Sequence, residues 1–283
     1  MSKIGLVVEG GGMRGIYGCG VLDALLENSI TFPYSIGVSA GSANMASFIT
    51  QQHGRNYRFY TSYSFDERYM SLKNFVTTGS FFGMDYIYTE LNEDVDPINF
   101  EKLTNTDMEY YVVAVDALTG KPVYFDKNDV ERHRGDIFKA SSAVPAMCKP
   151  IEIDGKMYFD GGVADSIPVK RALSDGCDKI VAVLTRPKGY VKKPEAGKKI
   201  YQEILREYPV IAKAMNVRHY VYNHTLEYLY KLEQEGRAFL FCPDNPEGVT
   251  IISRNKEDLI TLYNEGVVDA ENRMDELRAF MNE

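Results

Sequence analysis

The sequence predicts an α/β fold with a largely parallel central sheet, continued by a helical C-terminal extension. Three observations carry this. Apolar runs alternate with helical patterns over most of the chain, two strand–turn–helix passages follow one another near the start, and the pattern from residue 200 onward is mostly helical.

Taken in order, strands are expected at 4–8, 34–38, 110–116, 121–125, 151–159, 178–184 and 238–242. Between the first two, Ile16, Val21, Leu22, Leu25 and Leu26 recur at helical spacing. Residues 186–199, RPKGYVKKPEAGKK, contain two Pro, two Gly and no apolar period, so they read as an exposed linker or loop. Residues 200–235 are rich in Tyr and Leu, and 256–281 form an amphipathic stretch without Pro; both read as helical. The expected organisation is one unit over 1–185, the linker 186–199, and a mainly helical extension over 200–283. No internal repeat or low-complexity segment interrupts it.

Composition narrows the function classes. A chain of 283 residues with 45% hydrophobic and 25% charged residues is an ordinary globular protein able to bury a sizeable core. Its net charge of -8 argues against a general nucleic-acid binder, which needs a surplus of Lys and Arg to displace counterions. The four cysteines are far apart and form no C-x-x-C pair, so neither a zinc site nor a disulfide framework is expected. A reducing cytoplasm is the simplest compartment. The first apolar run, IGLVV, is too short for a signal peptide or a membrane span, and no later run approaches ~20 apolar residues. Peripheral contact with the inner face of a membrane stays open.

The stretch LVVEGGGMRGIYGCGVLDAL, residues 6–25, places the pattern G-x-G-x-x-G at Gly10 to Gly15 between a strand and a helix. Such a loop holds a pyrophosphate in dinucleotide-binding proteins, but that reading needs a carboxylate at the end of the second strand. The second strand instead ends in Gly37-Val38-Ser39-Ala40-Gly41, a G-x-S-x-G nucleophile-elbow pattern. Ser39 reads either as a nucleophile or as a plain cap on the helix that follows. An attacking serine needs a base for its proton and donors for the oxyanion it creates. Gly11 and Gly12, ahead of a helix, could supply N–H donors backed by the helix dipole. Asp160, in MYFDGGVADSIPV, sits at a strand end beside Gly161 and Gly162 and could supply the base, although Asp-Gly is also an ordinary turn dipeptide.

Taken together, G-G-G-x-R-G, G-x-S-x-G and a D-G-G about 120 residues later resemble the patatin-like phospholipase family, over residues 4 to about 185. The resemblance implies a three-layer patatin-like fold and a serine acyl hydrolase with a Ser-Asp dyad in place of a triad. Ser39 then stands as nucleophile, Asp160 as general base, and Gly10, Gly11, Gly12, Met13, Arg14 and Gly15 as the oxyanion loop. Gly37, Gly41, Gly161 and Gly162 support the motifs. Arg14 fills the loop's basic position, and Met13 stands where the family often has a smaller residue, which could narrow the acyl entrance. No metal or cofactor is required, and the partner is a lipid or ester substrate.

Two other readings compete. An α/β-hydrolase triad could draw on His219 or His224, which follow Asp160 in a helical stretch. A lipid-binding protein could retain the fold without turnover. The aromatics between residues 57 and 88, among them Phe59, Tyr60, Tyr69, Phe82 and Tyr88, are either acyl-groove lining or core. The basic loop at 186–199, with Tyr190, is either a solvated linker or a dock for anionic lipid surfaces.

Overall fold

The computed structural model describes residues 2–282 apart from 245 and 247; of the expected 200–283 segment, positions 245, 247 and 283 therefore lie outside the described residues. Among the described residues eight strands form one sheet: β1 (Ile4–Val8), β2 (Tyr34–Val38), β3 (Glu109–Asp116), β4 (Pro122–Phe125), β5 (Ile151–Ile153), β6 (Lys156–Asp160), β7 (Lys179–Val183) and β8 (Ala238–Phe241). The order β5-β6-β3-β2-β1-β7-β8 makes the run from β3 to β8 parallel, while β4, β5 and β6 pair antiparallel at one end. The expected strand at 151–159 is thus two strands. Asp154 and Gly155 both take positive φ and fold it into a hairpin, the turn that Asp-Gly favours.

The sheet is covered on both faces, which is why β1, IGLVV, is apolar throughout. Ile4, Leu6 and Val8 pack into one core, with helix α1 (Ile16–Glu27) and helix α2 (Ala40–Ile49). Val7 points the other way, into a second core with Leu226, Leu229 and Leu232 of the long helix Pro209–Gln234. The result is a three-layer α/β architecture.

The segment after residue 200 is woven into these layers. Its strand β8 extends the parallel sheet beside β7. Its helix Lys256–Asn272 lies along α1, with backbone passing close over Gly20 and Gly266. Tyr17 donates to Asp269 at 2.7 Å and Tyr263 donates to Asp23 at 2.9 Å across the same interface. The helical stretch expected at 200–235 breaks between Ile204 and Pro209, because a proline ring disfavours helical backbone in the residue before it.

Candidate active site

Strand register brings the two candidate catalytic residues together. Val113 of β3 pairs with Val38 of β2 on one edge and with Tyr124 of β4 on the other. Its neighbour Ala114 pairs with Val123 of β4 and with Asp160 of β6. Because β4 occupies one edge of β3, β2 and β6 must share the opposite edge, end to end. Ser39, the residue after β2, therefore meets Asp160, the last residue of β6.

Ser39 turns the chain sharply into α2 with φ 54° and ψ -130°, a conformation costly for any residue with a side chain. It makes no side-chain cap bond, so the capping alternative does not describe it. The turn is fixed by neighbours. Ser39 N–H donates to Ser141 Oγ at 2.8 Å, Ser141 Oγ donates to the Val113 carbonyl at 2.7 Å, and Ser42 Oγ donates to the Ser39 carbonyl at 2.6 Å. Close approach explains the flanking glycines. A Cβ on Gly37 would lie 2.7 Å from Ser42 Cα, and one on Gly41 would lie 2.5 Å from the Val8 carbonyl oxygen.

Asp160 is buried, and its Oδ1 accepts the Gly162 N–H at 2.7 Å. Burial raises its pKa from the ordinary value, while the Ser39 hydroxyl, the Arg218 charge and the Gly162 N–H pull it back. Gly161 is pressed against the Val113 carbonyl, and a Cβ on Gly162 would sit 3.0 Å from Asp160 Oδ1.

The glycine loop wraps over the elbow. A Cβ on Gly10 would fall 2.7 Å from Ser39 Cβ, and one on Gly15 would fall 2.5 Å from the Tyr60 hydroxyl. Gly12 has φ +55°, where glycine is favoured. The N–H groups of Gly10, Gly11 and Gly12 meet no acceptor among the described residues. Those of Met13 and Arg14 are occupied, by the Ile251 carbonyl at 3.3 Å and the Gly11 carbonyl at 3.2 Å. Met13 is buried in the cavity wall, and Arg14 presents a buried Nε with no hydrogen-bond partner. Glu9 anchors the loop's base by accepting from Thr185 N–H and from the Tyr222 hydroxyl, each at 2.7 Å.

Ser39, Asp160 and the loop open onto one cavity of about 440 Å³. Of the aromatic segment, Phe59, Tyr60, Tyr69, Phe82 and Tyr88 line it; Tyr57, Tyr63, Phe81 and Tyr86 pack against the core, and Phe65 and Phe75 are exposed. The segment thus divides between cavity wall, core and surface. Neither His219 nor His224 borders this cavity. His219 is buried against Tyr220, and His224 is exposed beside Glu227.

The other wall of the cavity was not anticipated. Arg186, Lys192, Glu195 and Arg218 line it, so the basic loop at 186–199 is divided rather than a single outward cluster. Lys193, Lys198 and Lys199 face solvent, whereas Tyr190 folds back edge-on against Tyr222 at 6.1 Å. Arg186 carried a legible signal, since it follows the C-terminal end of β7, on the sheet edge that also carries Gly10 and Ser39. Arg218 carried none; only the return of the long helix brings it to Gly162.

Comparison with known proteins agrees with this architecture. A family model described as Patatin-like phospholipase matches residues 6–173, and a second, described as a domain of unknown function (DUF6363), matches residues 208–282. The uncharacterized protein YjjU of Escherichia coli is 30% identical over 204 residues, which are 70% of this chain and 56% of that protein. An uncharacterized NTE family protein of Mycobacterium tuberculosis is 28% identical over 64% of this chain and 48% of its own length. The chain thus spans about half the length of these bacterial relatives. Lysophospholipase NTE1 of Saccharomyces cerevisiae is 26% identical over 64% of this chain and 11% of that protein. The crystal structure of VipD from Legionella pneumophila superposes with a TM-score of 0.50 at 12% identity, covering 98% of this chain and 67% of that one, a likeness of fold.

Proposed function

The chain belongs to the patatin-like phospholipase family, and from that premise we propose that it is a serine acyl hydrolase cleaving carboxylic esters of lipids through Ser39 and Asp160. The observation that carries the reading is the end-to-end meeting of β2 and β6 on one edge of β3, which brings a strained serine to a buried carboxylate. A pKa raised by burial makes Asp160 a stronger base than a solvated aspartate. It takes the Ser39 proton, directly or through a water, as Oγ attacks the ester carbonyl. The free N–H groups of Gly10, Gly11 and Gly12, at the start of the turn into α1, receive the developing oxyanion. Collapse expels the alcohol or lysolipid, and water then hydrolyses the acyl-enzyme. The aromatic wall accommodates the acyl chain.

A turnover screen over p-nitrophenyl esters and lysolipids, wild type against Ser39→Ala, tests this. Hydrolysis by the wild type that disappears in the variant supports it. Equal turnover by both proteins refutes it.

A further inference from the structure

We propose that the polar end of the cavity is a phosphate subsite completed by the C-terminal segment, and that the substrate is a lipid ester with an anionic phosphate head in preference to a choline head. This rests on the serine-hydrolase reading for where the ester lies, but not for whether the anion binds.

Four cationic side chains line that end: Arg14 from the glycine loop, Arg186 and Lys192 from the segment after β7, and Arg218 from the long helix. Among the described residues one carboxylate pairs with any of them. Glu195 holds Lys192 Nζ at 3.0 Å and Arg218 Nη1 at 3.1 Å. Arg14 and Arg186 have no carboxylate within ion-pair distance among the described residues, and Arg14 Nε is buried without a hydrogen-bond partner. Of the other acids lining the cavity, Glu9, whose charge reaches Arg14, is committed to Thr185 and Tyr222, and Asp160, whose charge reaches Arg218, accepts from Gly162 N–H. The crowding is costly. Burial and the neighbouring Arg186 depress the pKa of Arg14, and burial and Arg218 depress that of Lys192. In a chain of net charge -8 such a cluster does not follow from composition.

A bound phosphate would relieve both deficits, offering acceptors to the idle guanidinium groups and charge to the cluster. At this end of the cavity choline has no equivalent place. A quaternary ammonium is held by open aromatic faces, yet Arg186 already lies over the Tyr190 ring at 4.5 Å and Lys192 over the Tyr222 ring at 5.7 Å. The matched region of unknown function thereby gains a role, since its Arg218 and Tyr222 build the part of the cavity that reads the substrate head.

The test uses the double variant Arg186→Gln/Lys192→Gln, with Arg186→Lys as the charge-conserving control and thermal melting to confirm folding. Titration calorimetry with inorganic phosphate is expected to show binding to the wild type, weakened about tenfold or more in the double variant and largely kept in Arg186→Lys. Absence of binding, or equal affinity in all three proteins, overturns the subsite. The source of the phosphate is read from kcat/KM for lysophosphatidate relative to lysophosphatidylcholine of the same acyl chain. A ratio above one in the wild type that collapses in the double variant supports a lipid head. A ratio of one or below, or one unmoved by the substitutions, assigns the site to free phosphate and overturns the head-group preference. Should the wild type turn over no ester at all, the hydrolase reading fails while calorimetry still decides the subsite.

Discussion

The two glycine-flanked turns at the C-terminal ends of β1 and β2 lie side by side on one sheet edge and do opposite things. After β1, the chain passes through Gly10, Gly11 and Gly12 and presents bare N–H groups, with no side chain between the backbone and the cavity. After β2, the backbone is forced to positive φ at the one residue, Ser39, whose side chain must project. Both need glycine at the same places for the same reason, close approach, as Gly10 against Ser39 and Gly41 against Val8 show. On the proposed mechanism the first turn acts through backbone and the second through a single hydroxyl, so the two should fail differently when altered.

The largest effect is expected at the hydroxyl. Ser39→Ala should lower kcat on the order of 10⁶-fold, the scale on which removing a serine nucleophile acts. Ser39→Gly should be equally inactive yet more stable by about 1 kcal/mol in chemical denaturation, because relief of backbone strain exceeds the entropy cost of glycine. A destabilised Ser39→Gly would show that the positive φ stores no strain.

Asp160→Asn should lose roughly 10²–10⁴-fold in kcat, the usual contribution of a general base. The sign of its pH dependence follows from its raised pKa. In the wild type, kcat/KM should rise as Asp160 ionises, with a midpoint above that of a solvated aspartate. Arg218→Gln removes a charge that favours the ionised form, and should move the midpoint to higher pH. For stability, a carboxyl that binds its proton more tightly in the folded protein stabilises below its unfolded pKa, and that contribution is lost as pH rises through the folded pKa. Asp160→Asn should therefore be more stable than the wild type at neutral pH, with the gap closing on acidification.

The backbone turn should yield smaller losses. Gly12→Ala is expected to lower kcat by ~10²–10³-fold with little change in KM, as displacement of an oxyanion donor does. The added Cβ would meet the Ile251 carbonyl oxygen at 2.5 Å, at a residue with φ +55°. A rise in KM with kcat unchanged would mean that the loop binds substrate and does not stabilise the transition state. The smallest effect is expected one layer behind the elbow. Ser141→Ala leaves the buried Ser39 N–H unpaired and should cost about 1–3 kcal/mol in thermal or denaturant unfolding.

Much of this arrangement was legible in the sequence where local pattern decides it. Strands β1 and β2 lie where their largely apolar runs place them, because strands buried on both faces are close to continuously apolar. Asp154-Gly155 was an available hairpin signal inside the expected 151–159 strand, masked by the apolar residues on either side. What depends on long-range register was out of reach. That β2 and β6 share one edge of β3, and that Ser141 lies behind Ser39, follows from pairings across tens to more than a hundred residues. The inward turn of Lys192 was hidden for a similar reason, since a run of Lys and Arg beside Pro and Gly reads as solvated loop until the long helix packs over it.

The central claim is that Asp160 activates Ser39, and rate-resolved labelling with a fluorophosphonate tests it most directly. Mass spectrometry of the wild type should find one adduct, on Ser39, forming at a rate that climbs with pH as Asp160 ionises, and forming far more slowly in folded Asp160→Asn. Labelling of Ser39 at the same rate in both proteins, or no adduct on Ser39 in the folded wild type, would contradict it.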